Sequence, residues 1–153
     1  MSFEQSLMTG GYGEHAVWNI LTNQPKVRVV VDVRKDKRFQ DKDIDFLVEN
    51  ADQQFTSVEV KTDFKAHETG NIVYELTTSG NVGCFAKTQA DYIAYFIPKT
   101  KQVHMIHVRA LRSYIDKNKP NEIRMGDNAT GFLIKIKDLV DAKVIKTTYE
   151  GVM

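Results

Sequence analysis

The chain has 153 residues, 42% of them hydrophobic and 27% charged, and its 21 Lys and Arg almost balance its 20 Asp and Glu for a net charge of +1. That is core enough for one soluble globular domain, residues 1–153, with no room for a second. A near-neutral balance excludes a protein that coats nucleic acid by overall charge, so any such contact must come from a local basic patch. No apolar run is long enough to span a membrane, and Met1 to Met8 lacks the charged-then-apolar layout of a signal peptide, so a cytoplasmic protein with no membrane partner is expected. The lone Cys84 has no partner for a disulfide or at zinc-site spacing and reads as a small packing residue.

In chain order, Ser2 to Thr9 reads as a short helix or arm closed by Gly10-Gly11, followed by a second helix from about Glu14 to Leu21 that Asn23 and Pro25 end. On that helix Glu14 shares a face with Val17, Trp18 and Leu21, and an acid on a core-facing stripe needs a partner. VRVVVDVR, Val27 to Arg34, is a nearly continuous β-branched run and predicts a central strand. Lys35-Asp36-Lys37-Arg38 then makes a charged turn, and Arg34, Lys35, Lys37, Arg38 and Lys42 form the densest basic cluster in the chain.

The next stretch, Asp43 to Asp63, carries the chemistry. In IDFLVE the alternation places Asp45, Leu47 and Glu49 on one strand face; in TSVEVKT it places Ser57, Glu59 and Lys61 on one face. If these strands pair through the turn-forming ENADQQ, Asp45 converges with Glu59 and Lys61. Two carboxylates held together repel unless a cation sits between them, and a hard divalent ion such as Mg²⁺ with oxygen ligands meets that need. An amphipathic hairpin with a charged, solvated face gives the same alternation, since cross-strand charge pairs are ordinary in sheets. Asp43 shares the face of Asp45 in this reading, and Asp45 is preferred because it lies inside the hydrophobic strand.

Asp63 to Asn71 reads as a flexible loop bearing Lys65, His67, Thr69, Gly70 and Asn71. NIVYELTT is a strand with Val73 and Glu75 on one side, TSGNVG a loop, and Phe85 to Ala90 a short helix carrying Lys87. Asp91 to Pro98 and Gln102 to Val108 form a hairpin around Lys99-Thr100-Lys101. His104 and His107, three apart on a strand, face opposite ways and cannot chelate one metal. ALRSYIDK is a helix, Lys117 to Asp127 a polar loop, Gly131 to Ile136 a strand, Lys137 to Ala142 a helical turn and Lys143 to Tyr149 a last strand. No repeat appears, and the C-terminal third carries no chemical motif.

Asp45 followed fourteen residues later by Glu59-Val60-Lys61 resembles the PD-(D/E)XK nuclease superfamily. The upstream GGYGEHAVWNIL, with Gly10 and Glu14, resembles its acid-bearing first helix. EVKTDFKAHETGNIVYEL resembles small phage-type and Holliday-junction-resolvase-like members, and the resemblance covers about residues 10 to 115. Ile44 stands where the proline of the family name would be. The resemblance implies an α/β fold with a restriction-endonuclease-like core, a mixed central β-sheet flanked by helices. It implies Mg²⁺-dependent hydrolysis of DNA, with Mn²⁺ as a substitute, in recombination, repair or phage DNA processing within a bacterial or phage-infected host cell. Asp45, Glu59 and the Val60 carbonyl would be metal ligands, Glu14 would support a metal or its water, and Lys61 would position or help deprotonate the attacking water. Glu75 marks a possible additional site. Arg34, Lys35, Lys37, Arg38, Lys65, His67 and Asn71 would contact DNA, and a symmetric junction cutter of this size is expected to be a homodimer. The alternatives are a nuclease-like fold kept as a DNA- or protein-binding module, and a metal-independent interaction domain.

Overall fold

The computed structural model describes residues 3–126 and 128–152, with side chains described from Gly11 onward. Ser2 of the expected N-terminal arm and Asp127 of the expected polar loop lie outside them.

The fold is α/β, with a mixed central sheet flanked by helices. The chain opens with one continuous helix, α1 (Phe3–Thr22), in place of the arm and helix expected from Gly10-Gly11. Glycine inside a helix costs about 1 kcal/mol relative to alanine, and packing outweighs that here. A Cβ built on Gly13 would lie 1.9 Å from Thr62 Oγ1 and 3.2 Å from Thr62 Cβ, so this glycine is what lets α1 lie close against the sheet.

The six-stranded central sheet has the order β1 (Val27–Asp32), β2 (Phe46–Asn50), β3 (Phe55–Thr62), β6 (Tyr92–Ile97), β7 (Gln102–His107), β10 (Ile145–Tyr149). Its neighbours pair antiparallel except β3 and β6, which run parallel. The valine-rich β1 is an edge strand, not the expected central one. One of its faces is left open, with Val29 and Val31 still 42% and 40% exposed. β-branching alone does not separate a central strand from an edge strand that packs a single face.

Between β3 and β6 the chain leaves this sheet and builds part of a second one, ordered β5 (Asn81–Val82), β4 (Asn71–Thr78), β9 (Ala129–Lys135), β8 (Ile123–Arg124). The expected TSGNVG loop is therefore a tight β4–β5 hairpin, with Ser79 and Gly80 both at positive φ (52° and 80°), as a two-residue turn of the primed type requires. The polar segment before Gly131 likewise contains β8, paired to β9.

β6 shows how the layers are divided. Ala94 and Phe96 pack with Ala16, Val17 and Leu21 of α1, while Ile93, Tyr95 and Ile97 point the other way, into a core shared with Ile72, Tyr74, Phe85, Leu111 and Leu139. Leu111 belongs to α5 (Val108–Asn118) and Leu139 to α6 (Ile136–Asp141). In the parallel register Glu59 lies beside Ile93 and Lys61 beside Tyr95. The two charged residues thus face the second sheet, on the side opposite α1. His104 is buried with Nδ1 2.8 Å from Thr148 Oγ1, whereas His107 Nδ1 accepts from the Ala110 amide at the start of α5, so the two histidines have separate structural tasks.

Candidate active site

The β2–β3 register pairs Phe46 with Val58 and Leu47 with Ser57, which puts Asp45, immediately before β2, opposite Glu59. Its backbone N–H continues the ladder to Val58 O at 2.9 Å, and its Oδ2 accepts from the Val60 amide at 2.8 Å. The carboxylate is therefore fixed by the strand that carries Glu59 and Lys61. Burial pushes the Asp45 pKa up to about 6; the Val60 hydrogen bond opposes that, the Glu14 charge adds to it, and Lys61 and Arg34 oppose it.

Glu59 is 6% exposed, and its Oε2 is buried without a hydrogen-bond partner. Burial pushes its pKa up to about 7; Lys61 and Thr88 oppose the rise, and the charges of Asp43 and Asp45 add to it. The nearby Thr88 hydroxyl donates to the Asp43 carbonyl at 3.1 Å.

Asp43 does not share a strand face with Asp45. It closes the turn after α2 (Lys37–Gln40) with φ 54°, a left-handed conformation that ends alternation before β2 begins. Its Oδ1 is 3.5 Å from Lys87 Nζ and its Oδ2 is buried without a partner. It nevertheless lies near enough to Glu59 to act on its ionisation.

Lys61 sits among acids. Burial works to lower its pKa, but the Cys84 sulfur and the Glu59 and Glu75 carboxylates outweigh burial and the net direction is upward. The thiol itself is pushed up to about 11, mainly by burial. Cys84 Sγ also lies 3.4 Å from Glu75 Oε2, so Cys84 is a polar neighbour of the site rather than simple packing. Glu75, expected from the resemblance as a possible additional site, stands on β4, and Cys84, which nothing in the sequence signals, opens α4 (Cys84–Lys87) beside it.

Glu14 stands on α1, on the other side of the sheet from Glu59 and Lys61, and its charge acts on Asp45. Its Oε2 is 2.6 Å from Arg34 Nη1, and Arg34 also grips Asp32 through Nε (2.9 Å) and Nη2 (2.7 Å) while lying over the Phe46 ring. The expected basic cluster is thus partly committed within the protein: Arg38 pairs with Asp36 at 2.7 Å, and Asp36 caps α2, while Lys35, Lys37 and Lys42 are exposed.

Lys65 and Asn71 flank one helical turn, α3 (Ala66–Thr69), which contains His67, where a flexible loop was expected. Asp63 orders it: Oδ1 accepts from the Lys65 and Ala66 amides at 2.8 and 2.9 Å, and Oδ2 accepts from the Tyr95 hydroxyl. His67 Nε2 lies 3.6 Å from Glu68 Oε1.

The structure therefore gathers Asp45, Glu59 and Lys61 with Glu75 and Cys84 on one side and the Glu14–Arg34 pair on the other. Among the described residues no three His, Cys, Asp or Glu side chains form a ligand cluster by themselves. No helix among them is long and apolar enough to cross a membrane.

No family model matches the chain, and no curated protein matches its sequence. Among solved structures, the bacterial homing endonuclease I-Ssp6803I is similar at a TM-score of 0.51 and 13% identity, over 85% of this chain and 79% of that one. At that identity the likeness is one of fold: this chain has an α/β architecture similar to that of a nuclease.

Proposed function

We propose that the chain is a metal-dependent DNA endonuclease of the PD-(D/E)XK type, with Asp45, Glu59 and Lys61 at its centre. The observation that carries this reading is the pair of strand-fixed acids: Asp45 and Glu59 have pKa values raised to about 6 and about 7 chiefly by burial, and one Glu59 oxygen is left with no donor, all beside a lysine held as an ammonium. A buried Glu59 oxygen without a donor, opposite a second carboxylate on the paired strand, suits a hard divalent cation. The fold likeness to a protein named as a homing endonuclease supports DNA as the substrate.

Asp45, Glu59 and the Val60 carbonyl would hold Mg²⁺, or Mn²⁺ in its place, with Glu14 in support. Such an ion would lower the pKa of a bound water toward neutrality and offset the charge of the phosphate. The Val60 amide keeps one Asp45 oxygen engaged and so orients the carboxylate. Lys61 would position the attacking water or a phosphate oxygen by donating to it and stabilise negative charge as it develops, or help deprotonate the water. Glu75 adds its negative charge to the surroundings of Lys61. Asp45 and Glu59 come from one hairpin, so their relative placement is rigid before substrate arrives.

The test is conversion of supercoiled plasmid and of branched synthetic junctions in Mg²⁺ and in EDTA. Cleavage only with Mg²⁺, lost in Glu59→Ala, is expected; retention of DNA without cleavage under any divalent ion refutes the enzyme and leaves a binding module. Preference for the junction over linear duplex, together with a dimer in solution, would establish the resolvase-like form.

A further inference from the structure

Three aromatic residues are exposed among the described residues, Tyr12 at 46%, Phe64 at 45% and Phe55 at 60%. Two of them, Tyr12 and Phe64, stand at the end of the central sheet where Asp45 and Lys61 lie. We infer that these two rings are a stacking platform for unpaired bases, so that the DNA bound at this end carries a single-stranded stretch. This rests on the nuclease reading above and names the form of its substrate.

Strand direction brings the pieces together. β1 and β3 both run antiparallel to β2, and β6 runs parallel to β3, so β1, β3 and β6 all finish at one end of the sheet. Asp45, just before β2, lies at that end as well. Phe64 follows closely after Lys61 and Thr62, where β3 stops. The Tyr12 ring packs on that of Phe96, their centroids 5.6 Å apart, and Phe96 is both the sheet partner of Thr62 and the acceptor, at 2.9 Å, for the Asp63 amide. Tyr12 and Phe64 therefore both border the corner made by Thr62 and Asp63.

The charges around that corner select the occupant. Lys65, next to Phe64, and Lys99, in the turn after β6, are exposed at this end, and the exposed Lys35 and Lys37 follow β1. The acid at the corner, Asp63, is engaged by the Lys65 and Ala66 amides and by the Tyr95 hydroxyl. Half-exposed rings among lysines suit a polyanion that also offers flat apolar faces, which describes a nucleic acid with unstacked bases. A duplex keeps those faces against one another, so a protein ring reaches them only where the strand is unpaired. Phe55 opens β3 opposite Glu49, at the far end of the sheet, and is the natural control.

Fluorescence anisotropy of the full chain in Ca²⁺ at fixed salt, with labelled oligothymidine and a blunt duplex as probes, tests this. Wild type should bind oligothymidine more tightly than the duplex. Phe64→Ala and Tyr12→Ala should each weaken oligothymidine binding about tenfold, the scale of one lost stacked base, and change duplex binding by no more than about twofold. Phe64→Leu keeps apolar bulk without a ring face and should lose as much as Phe64→Ala, whereas Tyr12→Phe should match wild type and Phe55→Ala should change neither probe. The Phe64 variants carry the test if Tyr12→Ala, which gives up the contact with Phe96, does not fold. Equal losses on both probes, full affinity in Phe64→Leu, or no preference for oligothymidine in wild type overturns the inference and leaves the nuclease reading to plasmid cleavage in Mg²⁺. A wild-type chain that binds neither DNA overturns both.

Discussion

Glu59→Gln removes a charge from the least solvated acid in the site while keeping the side chain's shape. An ordinary glutamate titrates at 4.5, and burial pushes Glu59 up to about 7 in the fold. Between those values the native protein binds a proton that the unfolded chain has lost. The contribution is therefore fully present below about pH 4.5 and disappears as pH rises through 7. At 1.36 kcal/mol per pH unit, ionised Glu59 destabilises the metal-free protein by about 3 kcal/mol at pH 8. Glutamine cannot ionise and is spared this, so Glu59→Gln should gain roughly 5 to 10 °C in melting temperature relative to wild type at pH 8 in EDTA. At pH 4.5 the two should differ much less. Adding Mg²⁺ at pH 8 should raise the wild-type midpoint and do little for the variant, because ligand stabilisation scales with affinity for the folded state. The assay is thermal denaturation followed by circular dichroism across pH 4.5 to 8, with and without Mg²⁺. A stability difference independent of pH, or an equal Mg²⁺ response in both proteins, would refute the argument for a buried carboxylate awaiting a cation.

Asp45→Ala should abolish Mg²⁺-dependent plasmid cleavage while the far-ultraviolet spectrum is retained, and Asp43→Ala should keep cleavage; the opposite pattern would move the metal site to the turn. Lys61→Ala should lose most cleavage with DNA affinity in Ca²⁺ nearly constant, and Lys61→Arg should also be impaired, since the planar group cannot occupy the same point; unchanged cleavage per bound complex would make Lys61 a backbone contact. Neutralising the exposed Lys35 and Lys37 should flatten the salt dependence of DNA binding by roughly two counterions' worth of slope, measured by anisotropy from 50 to 200 mM salt. Gly13→Ala should destabilise the fold by about 1–3 kcal/mol through overpacking against Thr62, and Thr62→Ala should recover part of that in chemical denaturation.

Local patterns were legible where local physics decides. The β2–β3 pairing of Asp45 with Glu59, the β6–β7 hairpin and the divergence of His104 from His107 all follow from a two-residue period and a turn. What the sequence hides is set by distant partners. Gly10 and Gly11 read as a break because the surface that α1 packs against is not visible in the helix itself. Val29 and Val31 read as core because nothing in the run says that β1 has a neighbour on one side only. Arg34 read as a DNA contact, and its grip on Glu14 depends on α1 crossing over Phe46. Cys84 gave no sign of being a neighbour of Lys61, whereas Glu75 was marked through the resemblance; it lies on β4 of a second sheet whose β4–β9 pairing joins residues far apart in the chain.

That long-range pairing has a consequence for the order of assembly. The acids Asp45 and Glu59 belong to one antiparallel hairpin with a short connection, and closing it costs little chain entropy. The wall that brings Glu75 must wait for β9 to arrive from the C-terminal third and pair Asn71 with Lys135. Contacts of such wide separation form late and slowly. A nascent or truncated chain lacking β9 would thus carry the acidic pair without the second sheet, and Lys61 would lose the Glu75 side of its surroundings.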